Sequence, residues 1–115
     1  MAEDLLNANL YRYGSTRTLF VTGELDVATA PILEGAVDGA IDGQGDAFSI
    51  DLSGLVFIDS SGARAIVHAQ EKAASLGSRL VLLSPTPAVR RVLELMGLDQ
   101  IVDIKDGDRR PRRTA

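Results

Sequence analysis

The 115-residue sequence contains no cysteine and no tryptophan, a single histidine, and only 4% aromatic residues. The missing cysteine excludes disulfide bonds, thiolate metal ligands and a cysteine nucleophile, and it fits a reducing compartment. No apolar run approaches the ~18 residues that a membrane-spanning helix needs. The sequence opens with the acids Glu3 and Asp4 rather than with the basic and apolar residues of a secretory signal. We therefore expect a cytoplasmic protein with no membrane segment.

Hydrophobic residues make up 45% of the chain and charged residues 24%, which is typical of one globular domain of this size. The net charge of −4 is unevenly distributed, since residues 105–115 carry +3 and the other 104 residues carry −7. An acidic body repels phosphate backbones, so nucleic acid is not the expected partner. We expect one folded domain over 1–105 and a basic, disordered tail over 106–115, although such a tail can touch an acidic surface.

The pattern of apolar residues predicts an α/β fold. Helical spacing and capping signals predict three helices, which begin at Thr29, near Ser60 and at Thr86, with Met96 among the inward residues of the third. Runs of β-branched and apolar residues predict strands at 5–13, 18–22, 47–52, 80–83 and 101–104, the first two forming a hairpin. Strands separated by crossover helices indicate a sheet with parallel neighbours.

The stretch 51–62 joins a predicted strand to the start of a helix, where unpaired N–H groups and partial positive charge collect. Asp59, Ser60 and Ser61 are all favourable N-cap residues, and Gly62 follows them. Because one helix needs only one cap, at least one hydroxyl is left for another task. Residue chemistry favours Ser60 as the cap and Ser61 as the more exposed hydroxyl. It does not decide which of the two hydroxyls serves the other task.

Catalytic and metal-binding interpretations find little support in the sequence. A serine nucleophile needs its base ~3 Å away, whereas His68 lies seven residues after Ser61 on the same predicted helix, about 10 Å along its axis. No Gly-x-Ser-x-Gly elbow and no phosphate-binding glycine loop occur. The carboxylates of Asp26, Asp51 and Asp59 can converge at the strand ends, but without histidine they predict no metal site.

Residues 51–62 resemble the signature of STAS domains, specifically that of the bacterial anti-sigma factor antagonists. The stretch 23–31 resembles the second hallmark of this family, and the similarity runs over roughly 5–105. The resemblance implies a single STAS domain with a mixed, mostly parallel sheet of four to five strands and helices packed mainly on one side. Ala63 is a departure, because many relatives carry a larger aliphatic residue after the glycine.

The resemblance also implies a function. Such a domain is not an enzyme and needs no cofactor; unphosphorylated, it binds an anti-sigma factor serine kinase and releases a sigma factor. By the same resemblance, the kinase phosphorylates the residue that is Ser61 here, and a serine phosphatase removes the phosphate. The residues that contact the partner are Asp26, Asp59, Ser60 and Gly62. Two alternatives remain: a STAS accessory module of a transporter or stress-signalling complex, and a small enzyme using Asp26 and Asp59, which requires a concave pocket.

Overall fold

The computed structural model describes residues 5–14, 16–43 and 47–106. The order of elements is two strands, then helices alternating with the remaining strands. The strands are β1 (Leu6–Tyr13), β2 (Thr16–Leu25), β3 (Ala47–Ile58), β4 (Arg79–Leu83) and β5 (Asp103–Lys105). The helices are α1 (Ala30–Ala40), α2 (Ser60–Ser75) and α3 (Pro87–Leu95), followed by the 3₁₀ turn Leu98–Gln100.

The five strands form one sheet in the order β1-β2-β3-β4-β5. β1 and β2 are an antiparallel hairpin, and every other neighbouring pair is parallel. Each parallel connection steps in the same direction across the sheet and contains one helix. Because such crossovers are right-handed, all three helices pack on one face of the sheet. The predicted α/β class and mixed sheet are confirmed.

The hydrophobic core fills the space between this face and the helices. Its large, fully buried side chains alternate along the strands and recur at helical spacing, as a half-covered sheet and amphipathic helices require. They include Leu19 and Val21 of β2, Ile50 and Leu52 of β3, Leu80 and Leu82 of β4, Leu33 and Val37 of α1, Ile66 of α2 and Leu93 of α3.

The two central strands run further than the sequence predicted. β3 continues to Ile58 instead of ending at 52, and β2 passes through Gly23 to Leu25. The two extensions support each other by parallel pairing, with Leu25 opposite Ile58 and register shifts before it. Position 54 requires a glycine, because any other residue would place a Cβ only 2.6 Å from Cγ2 of Thr22 on β2. Close packing between the strands therefore keeps Ser53 and Gly54 in the strand, although a Ser-Gly dipeptide is typical of turns.

The C-terminal region also differs from expectation. The last strand is Asp103–Lys105, since Val102 still donates its N–H to Leu98 O at 3.0 Å. Met96 is 45% exposed instead of inward, because it lies beyond the end of α3. Asp106 pairs with Arg90 of α3 at 2.6 Å, and the rest of the expected tail, 107–115, lies outside the described residues.

Candidate functional site

The carboxyl ends of β2 and β3 meet beside the start of α2. The backbone N–H of Asp59 donates to Leu25 O at 3.2 Å, and this bond holds the ends of β2 and β3 together where the two strands leave the sheet. Gly62 is buried against this junction, and a Cβ on it would lie 2.7 Å from Leu25 O and 2.9 Å from Cγ1 of Ile58. Only glycine lets the first turn of α2 approach this closely, so Gly62 fixes where the helix begins.

Asp59 is the N-cap of α2, and Ser60 is not. The Asp59 carboxylate accepts a hydrogen bond from the Gly62 N–H at 3.0 Å, and its carbonyl accepts the first helical bond, from Ala63, at 2.9 Å. Its backbone is extended, with φ −123° and ψ −168°, as an N-cap requires. The expectation that Ser60 caps the helix is therefore wrong, because the helix begins one residue earlier.

The two serines differ in exposure in the opposite sense to the prediction. Ser60 is exposed, whereas Ser61 is half-buried. Neither hydroxyl makes a hydrogen bond within residues 5–14, 16–43 and 47–106, because Asp59 satisfies the cap. The structure therefore leaves two unengaged alcohols in the first turn of α2, next to the unpaired N–H groups of the helix start.

Asp26 organises the neighbouring loop at the end of β2. Its Oδ1 accepts hydrogen bonds from the N–H groups of Ala28 at 3.0 Å and Thr29 at 3.1 Å. Thr29 occupies the predicted N-cap position of α1, but its hydroxyl donates to Glu24 O at 2.8 Å and accepts from Asp26 N at 2.9 Å instead of capping the helix. Asp26 and Asp59 thus each hold a chain turn through Oδ1, on adjacent strand ends.

Exposed apolar side chains surround these acids, and sequence reasoning did not identify them. Val27 is 73% exposed, Val56 66% and Phe57 47%, and each lies within three residues of Asp26 or Asp59. Phe57 pairs opposite Glu24 at the end of the ladder. Alternation along a regular strand would bury every second residue, but the register shifts in β2 and β3 leave two consecutive apolar residues outside. We call Val27, Val56 and Phe57 the apolar rim.

The remaining chemical candidates lie apart from this site. His68 contacts Asp38 of α1 through Nε2 at 2.9 Å, so it joins two helices rather than serving Ser61. Asp51 lies in mid-strand with Ser53 as its partner and does not converge with Asp26 and Asp59. The described residues contain no cluster of acids and histidine able to hold a metal ion, and no helix among them is long and apolar enough to span a bilayer.

A pocket is present, but neither Ser60 nor Ser61 lines it. A groove of about 700 Å³ lies on the sheet face opposite the helices, and its lining includes Tyr11, Phe20 and Asp51 but neither Asp26 nor Asp59. The two acids proposed for an enzyme therefore do not open into this groove. What the site offers is an exposed edge with two carboxylates, two hydroxyls and the apolar rim, which is a composition suited to contact with another protein.

Sequence and structure comparisons agree on the family. A family model described as "Mlab, STAS domain" matches residues 9–103. The anti-sigma-B factor antagonist of Listeria monocytogenes is 33% identical over 88 residues, covering 76% of this chain and 77% of the relative. The anti-sigma-F factor antagonist RsfB of Mycobacterium tuberculosis is 28% identical over 99 residues, covering 86% and 80%.

Among solved structures, an anti-sigma factor antagonist from Mycobacterium paratuberculosis superposes with a TM-score of 0.79 at 29% identity. The superposition covers 90% of this chain and 88% of that one. The family model matches nearly the whole folded part of the chain, including all the residues of the site. The chain belongs to the STAS domain family, whose anti-sigma factor antagonists are regulatory binding proteins and not enzymes.

Proposed function

We propose that this protein is an anti-sigma factor antagonist controlled by phosphorylation of Ser61. Unmodified, it binds an anti-sigma factor that is also a serine kinase, and so releases a sigma factor in the cytoplasm. The observation that carries this proposal is the Ser61 hydroxyl, which is half-buried beside the Asp59 cap and makes no hydrogen bond within the described residues. The names of the curated relatives support the same pathway.

The surroundings of Ser61 explain how a phosphate blocks binding without unfolding the domain. A phosphoserine carries about −1.5 to −2 charge at neutral pH. The start of α2 tolerates this charge because helix N-termini favour anions. A partner that fits against Asp26, Asp59 and a neutral hydroxyl meets a third negative group and added bulk instead. Misplaced charge at a desolvated contact costs several kcal/mol.

The apolar rim gives the partner surface its source of affinity. Interfaces gain most of their energy from a few buried aromatic and aliphatic anchors, with polar groups setting orientation around them. Phe57 and Val27 are exposed next to Asp59 and Asp26, so burying them on a partner brings that partner over the serines. The carboxylates then select a complementary basic surface. Gly62 contributes through the shape of the turn, since its own atoms are buried.

Ser61, and not Ser60, is proposed as the acceptor because of its place in the family motif. Ser60 is the competitor, since it is the more exposed of the two hydroxyls. Mass spectrometry of the protein after incubation with the captured kinase and ATP distinguishes them. Phosphate on Ser61, with modification lost in Ser61→Ala and retained in Ser60→Ala, supports the assignment. Phosphate on Ser60 alone refutes it.

Capture of the partner tests the function itself. The unmodified full chain, Ser61→Ala and Ser61→Asp serve as baits in a cell extract. A matched control is Ser75→Asp, which adds the same charge at the exposed far end of α2, about 21 Å away along the helix. We expect the unmodified chain, Ser61→Ala and Ser75→Asp to retain a kinase-like anti-sigma factor and Ser61→Asp to lose it.

Two outcomes of this capture experiment contradict the proposal. Equal retention by Ser61→Asp and Ser61→Ala would remove the role of phosphate, provided that both variants unfold at the temperature of the unmodified protein. Recovery of a membrane transporter component in place of a kinase would support the accessory module of a transporter. A serine phosphatase that restores binding to the phosphorylated protein would complete the proposed cycle.

A further inference from the structure

The exposed face of α2 places an arginine one turn beyond the two serines. Arg64 lies three residues after Ser61 and four after Ser60, and residues at these spacings are neighbours on a helix surface, with Cβ atoms about 5–6 Å apart. Helical Cα–Cβ bonds tilt towards the N-terminus, so a long side chain at position 64 covers the turn that carries both hydroxyls. The guanidinium at the end of that side chain therefore reaches a group attached to Ser61.

Arg64 has no acidic neighbour on its own helix. It is exposed, and it forms no ion pair with residues 5–14, 16–43 and 47–106. The residues three and four positions away from it on either side are Ser60, Ser61, Val67 and His68. Arg90 of α3, by contrast, pairs with Glu94 four positions later at 3.6 Å. A phosphate on Ser61 would therefore supply Arg64 with the kind of partner that Arg90 already has at helical spacing.

Glu34 of α1 is the acid that competes for Arg64. The helices α1 and α2 each join parallel strands on the same face of the sheet, so they run in the same direction, and Asp38 contacts His68 at 2.9 Å. One turn before this contact, Glu34 and Arg64 occupy the corresponding positions, but they form no ion pair in the described part of the chain. A phosphoserine is the stronger partner, because it carries about −1.5 to −2 charge and three acceptor oxygens, which a guanidinium binds through two parallel N–H groups.

We propose that Arg64 is the internal counter-ion of phosphorylated Ser61, and that its guanidinium binds the phosphate and stabilises the phosphorylated form of the domain. This pairing rests on the proposed function, since it concerns the same modification. It holds the phosphate against the first turn of α2, beside Asp59, at the surface that the partner covers. The start of α2 favours any anion, whereas the pairing makes the stability of the phosphorylated form depend on one side chain that a substitution can remove.

A comparison of four proteins tests this pairing. Phosphoserine is incorporated at position 61 during synthesis of the full chain, so the test needs neither the kinase nor the partner. Thermal unfolding is measured for the protein and for Arg64→Gln, each with and without the phosphate. We expect Arg64→Gln to lower the Tm of the phosphorylated protein by at least about 3 °C more than it lowers the Tm of the unmodified protein, and high salt to reduce this difference. Arg91→Gln is the matched control, because it removes an exposed arginine of α3 and should change the Tm of both forms equally.

A nuclear magnetic resonance measurement identifies the contact itself. In protein labelled with ¹⁵N-arginine, the side-chain Nε–H signal of Arg64 should shift when residue 61 is phosphoserine, and that of Arg91 should not. Equal losses of Tm in the two forms of Arg64→Gln would mean that Arg64 serves Glu34 or another fixed contact. That result, or an Arg64 signal that the phosphate leaves unchanged, overturns the proposal. Failure of the proposed function is seen separately, in the capture experiment, because the phosphate is built in here without a kinase.

Discussion

Two aspartate–serine pairs on β3 and just beyond its end use their hydrogen bonds in opposite ways. In mid-strand, the hydroxyl of the exposed Ser53 donates to the buried carboxylate of Asp51 at 2.6 Å, so this alcohol has a hydrogen-bond partner in its own strand. At the strand end, the carboxylate of Asp59 accepts the backbone N–H of Gly62 instead, and the hydroxyl of Ser61 has no hydrogen-bond partner among the described residues. The same two residue types thus form a hydrogen-bonded pair in one place and leave the serine hydroxyl unbonded in the other.

What separates the two pairs is the local backbone. Within β3, the strand and the flanking residues Phe20 and Leu83 enclose Asp51, and the nearest donors belong to Ser53. Beyond the strand, the start of α2 presents unpaired N–H groups, and one of them, that of Gly62, donates to the Asp59 carboxylate. Because the backbone N–H of Gly62 occupies the Asp59 carboxylate, the Ser61 hydroxyl does not donate to this acid in the way that Ser53 donates to Asp51.

The largest effect on stability is expected at Gly62, where the start of α2 packs closely against the end of β2. Gly62→Ala should lower the free energy of unfolding by about 2–3 kcal/mol, because the added methyl meets Leu25 O and Cγ at 2.7 Å. Gly35→Ala is the matched control, since nothing lies within 4 Å of its Cβ position on α1, and it should stabilise by up to about 1 kcal/mol. Urea unfolding of both variants measures the difference. Equal changes in the free energy of unfolding of the two variants would show that the close contacts at Gly62 do not limit which residue fits there.

Removing each hydroxyl compares the two pairs directly. Ser53→Ala should destabilise the protein by about 2 kcal/mol, because it takes a donor from a buried carboxylate. Ser61→Ala should change stability by less than about 0.5 kcal/mol, because its hydroxyl bonds to no residue in the part of the chain that the structure describes. Thermal unfolding of the two variants checks the prediction. Equal losses would mean that the Ser61 hydroxyl is engaged within the fold.

The apolar rim should matter for binding and not for folding. Phe57→Ala should weaken partner binding by roughly tenfold, about 1.4 kcal/mol, while stability changes less because the side chain is 47% exposed. Leu95→Ala is the control, since Leu95 is 76% exposed at the end of α3 and away from the site. Titration of the captured partner measures both. Comparable losses for the two variants would place the interface elsewhere.

The smallest effect concerns the cap. Asp59→Ala should cost about 1 kcal/mol of stability through loss of the bond to Gly62, whereas Asp59→Asn retains an accepting oxygen and should cost less. Denaturant unfolding resolves the two variants. Equal stability of Asp59→Ala and the unmodified protein would mean that another residue, Ser60 first among them, can cap α2 in its place.

Much of the fold follows from the sequence because apolar periodicity and glycine and proline signals agree along most of the chain. The length of β3 did not, since Ser53 and Gly54 are typical of a turn, and only parallel pairing with β2 keeps them in the strand. Similarly, three candidate caps in succession are indistinguishable by residue type. Asp59 becomes the N-cap because the packing of Gly62 against Leu25 fixes the start of the helix. This contact joins two residues that are far apart in the sequence.

The groove escaped sequence analysis for a related reason. Asp51 has the environment of a buried acid only because Phe20 and Leu83, from two other strands, flank it in register. Nothing local to residues 51–53 distinguishes this aspartate from a solvated one. Long-range register, and not residue type, determined both the burial of Asp51 and the exposure of Phe57.

The role of phosphate is tested by the affinity of the captured partner for protein carrying one phosphate on Ser61, compared with its affinity for the unmodified protein at equal thermal stability. We expect a loss of affinity of at least about 100-fold, close to 3 kcal/mol, with the fold unchanged. Unchanged affinity of the phosphorylated protein, or loss of affinity only because the domain unfolds, would contradict it.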